Sequence, residues 1–130
     1  MTSSRPWWMT ALAVACLATL VATLSGDLFV QAAHDTEVWF GYEVTGPMAF
    51  ATAPIHWALF ATGAWAFWTA RPWAPVAGAC YLLYVALCHL VWSVTSPHGR
   101  GLPIGLVEAT VFVIGATLLW RASRALVARP

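Results

Sequence analysis

From Trp7 to Gly26 the chain runs for 20 residues without a charged side chain. A bilayer core about 30 Å thick is crossed by roughly 20 apolar residues in a helix, so this stretch alone narrows the folds open to the chain. Three more stretches fit the same requirement: Met48 to Trp68, Trp73 to Val94 and Leu102 to Trp120. Trp7, Trp8, Trp68, Trp73, Trp92 and Trp120 fall at or near the proposed ends, where amphipathic rings favour the membrane interface. Hydrophobic residues make up 61% of the chain and charged residues 8%, against about 25% charged in a soluble domain. A water-facing surface cannot be dressed with so few charges, which excludes a soluble globular enzyme, and the same numbers exclude disorder. A net charge of +1 leaves no basic footprint for nucleic acid.

The expected fold is an all-α integral membrane protein, a single four-transmembrane-helix domain over 1–130. Short connections at Thr69–Pro72 and Ser96–Gly101 predict an antiparallel bundle. Pro103 suits the first turn of the fourth helix, and Pro54, inside the second, predicts a kink there. Arginine placement sets the orientation, because cytoplasmic flanks keep positive charge. Arg5, Arg71, Arg121, Arg124 and Arg129 fall on one side and Arg100 alone on the other, which puts both termini in the cytoplasm. Arginine without lysine fits a GC-rich bacterial genome, hence a bacterial inner membrane. The first apolar run exceeds the roughly 7–15 residues of a signal-peptide core and is expected to be a retained helix.

The loop over 27–47 is the long one, extracytoplasmic and acidic through Asp27, Asp35, Glu37 and Glu43. Continuing the first helix would set Asp27, Gln31 and His34 on one face. Beyond it, Glu37 to Val44 alternates acids with aromatic and β-branched residues, the pattern of a short strand or hairpin, with Thr45-Gly46-Pro47 as the turn back. That segment is either a lid over a site or a connector whose Trp39, Phe40 and Tyr42 rest at the interface.

His56, His89 and Glu108 are the titratable side chains within the spans most in need of explanation. At about 1.5 Å per residue, each falls roughly 9–12 Å below the outer end of its helix, so the three share one layer, with Asp27 and His34 just above it. A carboxylate in that layer costs several kcal/mol unless paired, so Glu108 needs a partner, His89 or His56. Gly63 and Gly115 each lie seven residues beyond His56 and Glu108, on the same helix face. They mark either a pocket below the polar layer or close helix packing. Cys16, Cys80 and Cys88 form no C-x-x-C motif and read as small packers.

Several chemistries suit the layer. His56, His89 and Glu108 could hold a divalent metal with open positions. His56 and His89 could ligate a haem. A His–Glu pair could move protons on a lipid-soluble substrate. The leading expectation is a polytopic protein that binds a lipophilic small molecule, or serves as accessory subunit to a membrane protein partner. His56, His89, Glu108, Asp27 and His34 would form its ligand-binding site. The alternative is a membrane-embedded enzyme using a His–Glu acid/base pair, or a bound metal or haem, with His56, His89 and Glu108 as candidate catalytic residues. The plainest reading is a hydrogen-bonded cluster that fixes helix packing.

Overall fold

A computed structural model of the chain describes residues 5–30 and 36–127. Four helices dominate: α1 (Trp7–Ser25), α2 (Pro47–Trp68), α3 (Ala74–Thr95) and α4 (Leu102–Val127). A π-helical turn, Gly26–Val30, extends α1, and strands β1 (Thr36–Trp39) and β2 (Tyr42–Thr45) pair in a two-stranded ribbon. Three helices are long and apolar enough to cross a membrane: Trp7–Phe29, Ala74–Thr95 and Leu102–Leu126. The fourth expected span, α2, has 22 residues. Its apolar run is interrupted by Thr52, His56 and Thr62, by Pro47 and Pro54, and by the indoles of Trp57, Trp65 and Trp68. The last helix runs seven residues past the expected end at Trp120, because Arg121 and Arg124 are good helix formers that can extend into the headgroups.

The packing is turned inside out relative to a water-soluble protein. Eight of the eleven buried apolar residues among those described are alanines (13, 49, 53, 66, 74, 79, 86 and 116), while Val14, Leu17, Val21, Leu83, Leu87, Val107, Ile114 and Leu118 point outward. Lipid tails are as apolar as leucine, so helices in a bilayer associate by close approach over small residues and turn large ones to the lipid. Hydroxyls follow the same logic. The side chains of Thr19, Thr23, Thr95, Thr110 and Thr117 each donate to the carbonyl four residues earlier, at 2.7–3.0 Å. A hydroxyl without water must find a partner on its own helix.

The described residues form two compact units. In the first (1–35 and 45–74), α1 packs on α2. Met9 and Ala13 are buried on one helix, and Ala49, Ala53, Ala66 and Phe67 on the other. A side chain at Gly63 would start 3.2 Å from the Cys16 sulfur, so this glycine is a packing contact and not the wall of a pocket. The C-terminus of α2 closes in a Schellman motif, with Arg71 N–H on the Ala66 carbonyl (2.9 Å), Ala70 N–H on that of Phe67 (3.2 Å) and Ala70 at φ 51°. Around this end, the Arg71 guanidinium lies 4.6 Å from the Trp65 ring centre and that of Arg5 lies 4.2 Å from Trp68. Arg5 also donates to Thr10 and to the Trp68 carbonyl.

In the second unit (36–44 and 75–130), α3 has two working faces. Toward α4, Leu82 meets Gly115, the His89 ring lies tilted against Phe112 with centroids 5.0 Å apart, and Ser93 meets Gly105. A Cβ on Gly105 would lie only 2.7 Å from that of Ser93, so the Ser93 side chain rests directly on the α4 backbone there. The connection folds back tightly, with Gly101 N–H on the Ser93 carbonyl at 2.9 Å. On its other face α3 carries the ribbon. The ribbon turns at Phe40 (φ 52°) and Gly41 (φ 85°), the two positive φ angles of a two-residue type I′ turn. Gly41 is pressed so closely on α3 that a Cβ would fall 2.4 Å from that of Val91 and 3.1 Å from the Cys88 carbonyl oxygen. Phe40 sets its ring edge-on to Tyr84 at 5.5 Å, and its N–H donates to the Tyr84 hydroxyl at 3.3 Å.

Candidate functional site

Glu108, one and a half turns into α4, meets an imidazole and a guanidinium. Its Oε2 lies 3.3 Å from His89 Nδ1 on α3, and its Oε1 accepts from an Arg100 guanidinium N–H at 3.4 Å. Both distances exceed those of tight charge-assisted bonds. The cluster is also open, since the side chains of His89, Glu108 and Arg100 are 42%, 26% and 69% exposed. Phe112, one turn below Glu108, supports the imidazole ring. An open, loosely paired carboxylate flanked by an imidazole and a guanidinium can accept a hydrogen bond from a hydroxyl or ammonium, while its partners donate to carbonyl or phosphoryl oxygen. Sequence reasoning used Arg100 only for orientation. Its stem spans the eight residues to Glu108 because a long side chain can follow a helix wall while its head seeks a charge.

Asp27 and His56 belong to the first unit, whereas His89 and Glu108 belong to the second. Asp27 occupies the π-helical turn, buried, and its Oδ2 accepts from the Trp57 indole at 2.7 Å. π-turns recur at functional sites because they re-aim side chains, and this one aims a carboxylate at α2. His56 adjoins Trp57 on α2, half-buried, in the first unit with Asp27. His34 lies outside the described residues. Gly115 contacts Leu82, so it too serves helix packing. Among the described residues, no three His, Cys, Asp or Glu side chains come together as a metal-binding group.

Removing the indole tests the Asp27 contact. Trp57→Phe should leave a buried carboxylate without its donor, costing about 1–3 kcal/mol and lowering the unfolding temperature in detergent. Adding Asp27→Leu should recover most of that loss. An unchanged midpoint in Trp57→Phe would show that the bond contributes nothing.

A second carboxylate carries a constellation that sequence reasoning missed. Glu43, on β2, accepts from the Trp92 indole at 2.7 Å and from the Ser96 hydroxyl at 2.6 Å, and His98 Nδ1 lies 3.2 Å from both its oxygens. The Ser96 hydroxyl first, then the Trp92 indole, hold its carboxyl below the usual carboxylate range. His98 adds to the effect, and partial desolvation opposes it. The signal available was W-x3-S-x-H across the end of the third span, three donors at helix-end spacing, but their common acceptor lies some fifty residues earlier in the chain. The arrangement fastens the ribbon to the α3–α4 connection.

The chain matches no known protein-family model, no curated protein and no solved structure.

Proposed function

We propose that this chain is a polytopic membrane protein whose His89–Glu108–Arg100 cluster holds the polar head of a lipophilic molecule, either a free ligand or one shared with a membrane protein partner. The openness of that cluster carries the proposal. A cluster serving only helix packing would close its hydrogen bonds and exclude solvent, whereas Glu108 keeps long contacts and an exposed edge. Val107, Val111 and Ile114, outward on α4, offer an apolar wall for a tail. In this reading α2 is the fourth span, and both termini face the cytoplasm of a bacterial inner membrane. Arg–indole stacks support that orientation: Arg5, Arg71 and Arg124 each lie over Trp68, Trp65 or Trp120, at the helix ends that the arginine count assigns to the cytoplasm. Asp27 and His56, both in the first unit, are further candidate contacts for the ligand.

Native mass spectrometry of protein released gently from its own membrane tests this. The wild type should retain an adduct of lipid-like mass or a protein partner. Glu108→Gln, which keeps the shape and removes the charge, should weaken retention about 10- to 100-fold, the value of a charge-assisted hydrogen bond. Equal retention by both proteins would remove Glu108 from the site.

The His89–Glu108 contact also favours a second reading, because a carboxylate on Nδ1 is how a general-base imidazole is oriented. On that reading Glu108→Gln abolishes turnover of a lipid-soluble substrate while the unfolding midpoint stays in place. A packing cluster would instead lose stability.

A further inference from the structure

Two guanidiniums gather at the Trp68 end of α2, within the first unit. Arg5 is held there at three points. Its Nε donates to the Thr10 hydroxyl at 2.9 Å, a second N–H donates to the Trp68 carbonyl, and its Cζ lies 4.2 Å from the Trp68 ring centre. Arg71 follows the same helix end, with its Cζ 4.6 Å from the Trp65 ring centre. Trp65 and Trp68 are three residues apart on α2 and so are neighbours on its surface. The two guanidiniums therefore sit on adjacent rings.

Among the described residues, no carboxylate answers these two charges. Asp27 is 20 residues beyond Trp7 in the same rod of helix, roughly 30 Å away. Glu108 meets His89, and Glu43 meets Trp92 and Ser96. Those partners are 15 or more residues along α3 from Ala74, roughly 22 Å or further. The backbone leaves the balance unchanged. The C-terminus of α2 brings roughly half a negative charge, and the N-terminus of α1, beside Arg5, brings about as much positive. Neither α1 nor α3 has an acid in its first turn. A double positive charge beside an apolar slab attracts an anion more strongly than it would in bulk water.

Anchoring alone does not explain the arrangement. A snorkelling arginine extends a free head into the headgroups, whereas Arg5 is fixed on protein. Two of its five N–H groups are spent, and three remain on a guanidinium already oriented by an indole. Such a fork takes phosphate oxygens through paired, charge-assisted bonds, and fixing it beforehand reduces the ordering lost on binding. The rings beneath are exposed, as indoles at a membrane interface are, which sets the pair at headgroup level. A zwitterionic lipid carries its own cation beside its phosphate and would leave the two arginines uncompensated. A lipid of net negative charge neutralises them.

We propose that Arg5 and Arg71 bind the phosphodiester head of an anionic phospholipid at the Trp68 end of α2. This site belongs to the first unit and does not depend on the His89–Glu108–Arg100 cluster, which belongs to the second.

Native mass spectrometry of the full chain in micelles with equal amounts of phosphatidylglycerol and phosphatidylcholine, matched in acyl chains, tests it. The wild type should carry phosphatidylglycerol in preference by about 30-fold, the value of two arginines near a membrane surface. Arg5→Gln/Arg71→Gln should bring the two lipids near parity. Arg5 also bonds to protein, so Arg71→Gln alone guards against misfolding and should lower the preference about fivefold. Glu108→Gln should leave it unchanged, which separates this site from the cluster. Arg121→Gln/Arg124→Gln removes the same charge from α4 and should change it by less than about twofold. A loss there as large as in Arg5→Gln/Arg71→Gln would mean diffuse attraction and no site. Equal occupancy by both lipids in the wild type would also overturn the proposal. Excess glycerol phosphate should leave the lipid in place, and displacement by it would make the ligand a soluble phosphate instead.

Discussion

Gly41→Ala should unseat the ribbon. The added methyl would fall 2.4 Å from the Val91 Cβ, 2.5 Å from its Cγ1 and 3.1 Å from the Cys88 carbonyl oxygen. Two of these neighbours, a Cβ and a backbone oxygen on a long helix, cannot swing aside, so the turn must back away from α3. The residue also holds φ at 85°, where an L side chain costs about 1–2 kcal/mol, and overpacking adds about 1–3 kcal/mol. A combined penalty of about 2–5 kcal/mol corresponds to a roughly 30- to 4,000-fold rise in the open population. Limited proteolysis within 36–45 should report it as faster cleavage, because opened segments are cut in proportion to their population. The helices should keep their circular dichroism, since α1 with α2 and α3 with α4 pack without the turn. Cleavage at the wild-type rate would mean that the ribbon does not rest on α3.

The contrast between Gly41 and Phe40 shows what the sequence makes legible. A local rule puts Asn or Asp before Gly in a type I′ turn. Here Phe40 takes that position at φ 52°, unusual for a bulky residue. The alternation of Glu37 to Val44 was enough to place a hairpin, but nothing local explains a phenylalanine at its tip. Its reason is tertiary: the ring and N–H both meet Tyr84, 44 residues on. The apolar runs were legible for a similar reason in reverse, since lipid imposes its constraint residue by residue and needs no partner. Glu108 shows the middle case. Burial cost dictates that it has a partner, and α3–α4 packing decides that His89 and Arg100 supply it. Periodicity sets Asp27 on one helix face with Gln31 and His34, which lie outside the described residues, and gives no hint of its bond to Trp57 from a π-helical turn. Helix widening of this kind depends on side-chain packing that no periodicity records.

Acidification should release the ribbon through Glu43. Its carboxyl is held below the ordinary range by the Ser96 hydroxyl and the Trp92 indole, so the native contacts favour the ionised form. A carboxyl lowered on folding contributes stability that is fully present above its unfolded pKa, about 4.3 for glutamate. That contribution is lost as pH falls through the lower, folded value. Protection of the ribbon, followed by amide exchange or proteolysis within 36–45, should therefore be level above about pH 5. Below that it should fall by at most about tenfold per pH unit, the slope of one proton. Glu43→Gln should start from low protection and show no acid limb, because its amide cannot carry the charge that Ser96 and Trp92 address. Ser96→Ala removes the largest stabilising contact and should move the limb upward toward ordinary glutamate values. His98 is the titratable neighbour, and His98→Gln separates the two: it keeps a side-chain donor and cannot titrate. Should the acid limb vanish in His98→Gln and persist in Glu43→Gln, the imidazole and not the carboxylate would govern the ribbon.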